Sequence, residues 1–199
     1  MLNFAFIPMT ANAFPYMFNL VLVTSPIDYA MIGVAISVGT FIGAIVIGNL
    51  SRKIKVMRST FIGLVLLIAS YTFITYIFYM ILNDRMIYSK FYMYALGIMF
   101  IQGLILMYVN IPLNTAFARF VDEKYRGRAF AVVGSLSMAA TPLAMLLGGI
   151  VIEFAGVLEL IYGCLGILLM IMVYMFGNKN IRIFFKQLDM DEKSNPDSL

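Results

Sequence analysis

The chain has 199 residues, of which 62% are hydrophobic and only 12% charged, with a net charge of +4 and a mean hydropathy of +0.94. A soluble domain carries roughly a quarter charged residues, so this composition excludes one and points to a protein dissolved in lipid. With no histidine and a single cysteine, the chain lacks the commonest general base and the usual ligand sets for zinc, haem and iron–sulfur centres.

Six apolar runs lie near 2–23, 30–50, 59–82, 91–117, 129–152 and 158–176. A membrane-spanning helix takes about 20 apolar residues at a rise of about 1.5 Å each. The expected fold is therefore all-α, an integral membrane bundle of six helices over 1–177 with a tail at 178–199. The short gaps make successive helices antiparallel neighbours and leave no room for a soluble domain.

The first run has no basic segment before it and no cleavage pattern after it, so it reads as a span rather than a signal peptide. It carries Asn12 and Asn19, seven residues apart on one helix face, with Pro8 and Pro15 alongside. The second run holds a stripe of small residues, Gly33, Ser37, Thr40, Ala44 and Gly48, beside a G-x-x-x-G pair at Gly39 and Gly43. Small residues at helical spacing let membrane helices approach closely, either as static packing or as faces that slide.

The fourth run places Gln102, Asn110 and Asn114 on one broad side, with Pro112 among them. The fifth repeats a small-residue set at Gly134, Ser137, Thr141 and Gly148, and includes Pro142. The sixth contains the lone Cys164, which fits a small packing residue. Beyond it, 178–188 is basic and amphipathic, suited to a membrane surface, and the acidic remainder is expected to be disordered.

Charge alternates between the gaps. The second gap holds Arg52, Lys53, Lys55 and Arg58, the fourth Arg119, Lys124, Arg126 and Arg128, and the tail Lys179, Arg182, Lys186 and Lys193. Only Arg85 and Lys90 fall in the other gaps, so 12 of the 14 basic residues lie on one side of the serpentine path. By the positive-inside rule that side is cytoplasmic, and both termini lie there in the plasma membrane. The net positive charge then faces anionic lipid and implies no nucleic-acid partner.

The run interiors contain no Asp, Glu, Lys or Arg, the groups that normally mark proton relays and ion paths. Their polar content is amide and hydroxyl. An unpaired amide in hydrocarbon costs a few kcal/mol, so these side chains face other helices or a watery cavity. Asn12, Asn19, Gln102, Asn110, Asn114 and Thr141 are the candidate lining of a substrate path, against the alternative of plain interhelical hydrogen bonds. Prolines 8, 15, 112 and 142 are expected to kink or locally break the first, fourth and fifth helices. Tyr88, Tyr92, Tyr94 and Tyr125 fit an aromatic belt at the interfaces. No nucleotide-binding, hydrolase or intramembrane aspartyl motif is present. The sequence therefore points away from an enzyme, with no catalytic residue, metal or cofactor expected.

Two gaps carry more specific wording. Gly48-Asn49-Leu50-Ser51-Arg52-Lys53-Ile54-Lys55 resembles the G-x-L-[AS]-D-R-x-G-R-[RK] loop of the major facilitator superfamily, in its copy between helices eight and nine. Arg52 stands where that motif has aspartate, and Lys55 where it has its inner glycine. Asp122-Glu123-Lys124-Tyr125-Arg126-Gly127-Arg128-Ala129-Phe130, followed by Pro142 and Gly148-Gly149, resembles the P-x-x-x-R-G-R approach to helix eleven. The pattern is similar to the macrolide-efflux and siderophore-exporter branch of drug:proton antiporters.

The resemblance covers nearly the whole chain and implies the C-terminal six helices of a twelve-helix fold. It implies a half-exporter of amphipathic small molecules working by alternating access. It further implies a truncated or split chain, completed by a missing N-terminal six-helix half or a second copy. Gly48, Arg52, Arg126, Gly127 and Arg128 would then be latches and turns that stabilise one conformational state. A permease subunit of an ATP-driven system and a non-transporting scaffold are the competing expectations.

Overall fold

The computed structural model of the chain describes residues 7–22, 24–50 and 55–179. Among them, the expected membrane helices are all present in order. The first, α1, is helical over 7–21. It is followed by α2 (Pro26–Leu50), α3 (Val56–Leu82), α4 (Tyr88–Phe120), α5 (Glu123–Phe154) and α6 (Val157–Gly177). Five of these, α2 to α6, are long and apolar enough to cross a membrane. Arg52 and the amphipathic part of the tail lie outside the described residues.

α4, α5 and α6 run past their apolar runs at both ends, and α2 and α3 at their starts. The gap expected over 118–128 contracts to the two residues between α4 and α5, and that between α5 and α6 to Ala155 and Gly156. A charged residue ends a hydrophobic run without ending a helix, because it leaves the backbone hydrogen bonds intact. The α5–α6 corner turns at Gly156, whose φ of 118° lies in a region a side chain rarely tolerates. At the start of α2, the Asp28 N–H donates to the Ser25 hydroxyl oxygen at 3.1 Å. Pro26 takes the first helical position, where its missing N–H costs nothing.

The prolines do not all act alike. α4 continues through Pro112 and α5 through Pro142 without a break. Only α1 departs from α geometry, winding as π-helix over Pro8–Ala13 and again over Tyr16–Val21, on either side of Phe14 and Pro15. A π turn re-satisfies the backbone where a proline has removed an i→i−4 bond, and such turns gather at functional sites.

The core lies where α1, α3, α4 and α6 meet. Phe18 of α1 packs edge-on to Phe78 of α3, with ring centroids 5.4 Å apart, and Phe78 meets Phe91 of α4 at 5.0 Å. Tyr71, Ile74, Ile161 and Leu168 are buried with them. Cys164 is buried as the small packing residue expected.

α2 reaches this core by leaning on α4. A Cβ at Gly39 would strike the Phe100 backbone, one at Gly103 the Ile36 and Thr40 backbone, and one at Gly43 the Met107 Cβ at 3.0 Å. The G-x-x-x-G pair of α2 is thus a seam against α4. Its neighbouring stripe points elsewhere: Gly33, Ser37 and Ala44 are exposed, and a Cβ at Gly33 would meet nothing within 4 Å. The bundle is correspondingly lopsided. Residues of the apolar stretch are 44% buried in α3 but 17% in α2 and 6% in α5.

Candidate functional site

α1 and the C-terminal third of α5 lie side by side and meet at a glycine. A Cβ on Gly148 would sit 2.9 Å from the Pro8 Cβ, closer than real contacts allow, and 3.0 Å from the Asn12 Nδ2, a contact that would make the amide give way. That close approach lets the Asn12 side-chain amide donate to the Met145 carbonyl at 2.7 Å. The carbonyl only accepts, so this bond sets the orientation of the Asn12 amide. Its Oδ1 is turned into the protein without a hydrogen-bond partner.

Beside this contact the two helices part and leave a cleft of about 840 Å³, open on one side. From α1 it is lined by Ala11, Asn12, Pro15, Tyr16 and Asn19, and from α5 chiefly by Pro142, Met145, Leu146 and Gly149. No lining residue is ionisable in the physiological range. Ligand sites of this size are commonly apolar with a few placed polar groups, and here those are two amides and a tyrosine. The Asn19 side chain is exposed to the cleft and has no protein partner among the described residues.

The structure thus brings together Asn12 and Asn19, two of the six candidate path residues. Thr141 stands next to the lining residue Pro142, its hydroxyl donating to the Ser137 carbonyl at 3.2 Å on its own helix. Gln102 is elsewhere, 1% exposed between α3 and α4, where its amide donates to the Ser70 hydroxyl at 3.4 Å. It is an interhelical link. Ser70 keeps its own bond to the Leu67 carbonyl at 2.8 Å, so losing Gln102 leaves no buried donor unpaired. The Gln102→Leu variant, which also removes a buried oxygen lacking a partner, is expected to melt within about 1 kcal/mol of wild type. A thermal melt of the purified protein checks this. Asn110 is exposed on α4 and donates to its own Leu106 carbonyl at 2.9 Å; Asn114 is exposed one turn later. Neither lines the cleft.

The basic motif near α5 is helical. Arg126, Gly127 and Arg128 occupy its first two turns, and a Cβ at Gly127 would meet nothing within 4 Å. Gly127 therefore forms no turn here. Lys124, Gly127 and Arg128 are exposed, while the Nε of Arg126 is buried without a hydrogen-bond partner. A helix N-terminus does not favour cations, so helix stabilisation does not explain them. Gly48 lies exposed in the last turn of α2.

At the opposite end, sequence reasoning missed a clasp between α2 and α4. Tyr88 donates to an Asp28 carboxylate oxygen at 3.2 Å and Tyr92 to the Asp28 carbonyl at 3.3 Å. The two rings stack with centroids 6.1 Å apart. Their four-residue spacing was the available signal, though only the fold supplies Asp28. Among the described residues no group of acidic, cysteine or histidine side chains is placed to hold a metal.

No curated protein and no solved structure matches the chain. Residues 1–185 match the family described as Major Facilitator Superfamily. Spanning most of the chain, and joined to a bundle of membrane-length apolar helices, that match makes this a multi-pass membrane transport protein that belongs to the Major Facilitator Superfamily.

Proposed function

We propose that the chain is one six-helix half of a secondary active exporter of amphipathic small molecules such as macrolides. It works by alternating access in the plasma membrane, with both termini in the cytoplasm. The observation that carries this reading is the cleft between α1 and α5, apolar along most of its length and marked by the two amides. A mainly apolar wall with few polar groups suits molecules that partition into membranes. Proton coupling runs through carboxylates on the other half, since the described cleft has none.

The other half is a second six-helix unit or a second copy of the chain. The barely buried α2 and α5 support this, because their exposed small-residue faces suit close helix contact more than lipid. Alternating access then rocks one bundle against the other around a midplane site.

Two measurements test the reading. Membranes carrying the full chain are expected to eject a fluorescent amphipathic dye, and the chain to migrate in mild detergent with at least twice its mass of 22.3 kDa. Absence of ejection overturns the exporter, and ejection by a strict monomer overturns the half-transporter. Sidedness has its own check in a Cys164→Ala background. Lys55→Cys and Lys124→Cys are expected to react with an impermeant maleimide only after the cells are opened, and Asp84→Cys in intact cells. The reverse pattern would invert the topology.

A further inference from the structure

The geometry points to an uncharged ligand group offering a hydrogen-bond donor and an acceptor on the same side, a primary amide or small lactam, paired with the carboxamide of Asn19 in the α1–α5 cleft. The inference rests on that cleft being the substrate path, and it narrows the substrate class.

The two cleft amides are not equivalent. Asn12 is committed: its N–H is spent on Met145, and its oxygen is sealed from the cleft. Asn19 is uncommitted and exposed, with no protein partner among the described residues. Asn19 presents both an N–H and a C=O at the mouth of an otherwise apolar surface. In a low-dielectric setting an amide left unpaired costs a few kcal/mol, so its best partner satisfies both functions at once. A primary amide or a small lactam, whose N–H and C=O lie on the same side, does so with two parallel bonds, whereas an acyclic secondary amide is trans and turns them to opposite sides. A cation satisfies only the oxygen and brings a charge that no lining residue neutralises, and moving an unpaired ion from water is far costlier than moving a dipole. The body of the ligand lies on Pro142, Met145 and Leu146, with Tyr16 beside Asn19 on α1. Methionine and an exposed aromatic ring accommodate varied apolar shapes, so selection falls on the polar group.

The test uses the full chain in phosphatidylcholine nanodiscs, whose lipids carry no N–H or O–H donor to compete. Three radiolabelled probes share a decyl tail: undecanamide, its N,N-dimethyl derivative and decyltrimethylammonium. Wild type is expected to bind undecanamide about tenfold more tightly than either of the others. The Asn19→Leu variant should bring the three within about twofold, and Asn19→Gln should restore part of the preference. Asn19 is exposed, so the fold survives these changes, which a thermal melt confirms. Equal binding of the cation and the amide by wild type, or a preference that persists in Asn19→Leu, overturns the inference. Amide preference in binding without dye ejection would sink the exporter reading and leave this one standing. Dye ejection without amide preference does the reverse.

Discussion

Gly103→Val is expected to melt about 10 °C below wild type, the largest loss of stability of any single substitution proposed for this chain. α2 and α4 meet backbone to backbone at this point. A Cβ on Gly103 runs into the Ile36 oxygen and the Thr40 nitrogen, and one on Gly39 into the Phe100 carbonyl. A side-chain obstacle swings aside, but backbone atoms do not. Valine must therefore push the whole of α2 outward. Overpacking of this kind costs about 3 kcal/mol, and in a chain of this size each kcal/mol moves the melting point by about 2–4 °C.

The loss is amplified by how little else holds α2, whose apolar stretch is only 17% buried. The single buried Cys164 of α6 provides the readout, because a thiol-reactive coumarin reaches it only on unfolding. Gly97→Ala is the matched control, since a Cβ there meets nothing within 4 Å. It should melt at or slightly above wild type, as alanine is worth about 0.5–1 kcal/mol over glycine in a helix. Equal melting of Gly103→Val and Gly97→Ala would show that the α2–α4 seam is not the close contact described.

The second large effect is on function. Gly148→Val is expected to lower dye ejection by at least about tenfold while melting much closer to wild type than Gly103→Val. The added methyl groups collide with Pro8 and with the Asn12 amide, 2.9 and 3.0 Å from the position of the Cβ. Prying α1 from α5 breaks the Asn12–Met145 bond and reshapes the cleft, and displacements of about 1 Å in a site commonly cost two orders of magnitude. Stability changes less because α5 is the least buried helix, at 6% of its apolar stretch. Gly149→Ala separates position from composition. Its Cβ would lie 3.7 Å from the Asn12 Nδ2, an ordinary contact, so ejection should stay near wild type. If Gly148→Val ejects dye normally, the cleft is not on the transport path.

Charge-free hydrophobic runs and the placement of basic residues made the helices legible before any coordinates. Lipid leaves a chain one economical way to satisfy its backbone, so a long enough apolar run is a helix whatever its neighbours are. The same logic does not mark the connections, because Arg119 and the stretch from Glu123 to Arg128 stay helical while being polar. The prolines divide in the same way: α4 and α5 run on through Pro112 and Pro142, while Pro8 and Pro15 lie in or beside the π turns of α1.

Among polar residues, composition supplied the candidates and packing sorted them. Asn12, Asn19 and Gln102 are chemically alike in sequence. One is clamped to Met145, one is open to the cleft, and one is buried against Ser70. The glycines of α2 divide similarly, since Gly39 and Gly43 meet α4 whereas Gly33 faces open space. Periodicity along one helix says which residues share a face, and it carries no information about what that face meets. For this protein the amino-acid order determined solubility in lipid and the number and spacing of the helices, each a property of a local stretch. Which amide became a clamp, which stayed free and where the cleft opened were decided only when α1 and α5 came together at Gly148. Contacts between segments more than a hundred residues apart depend on how all the intervening helices pack.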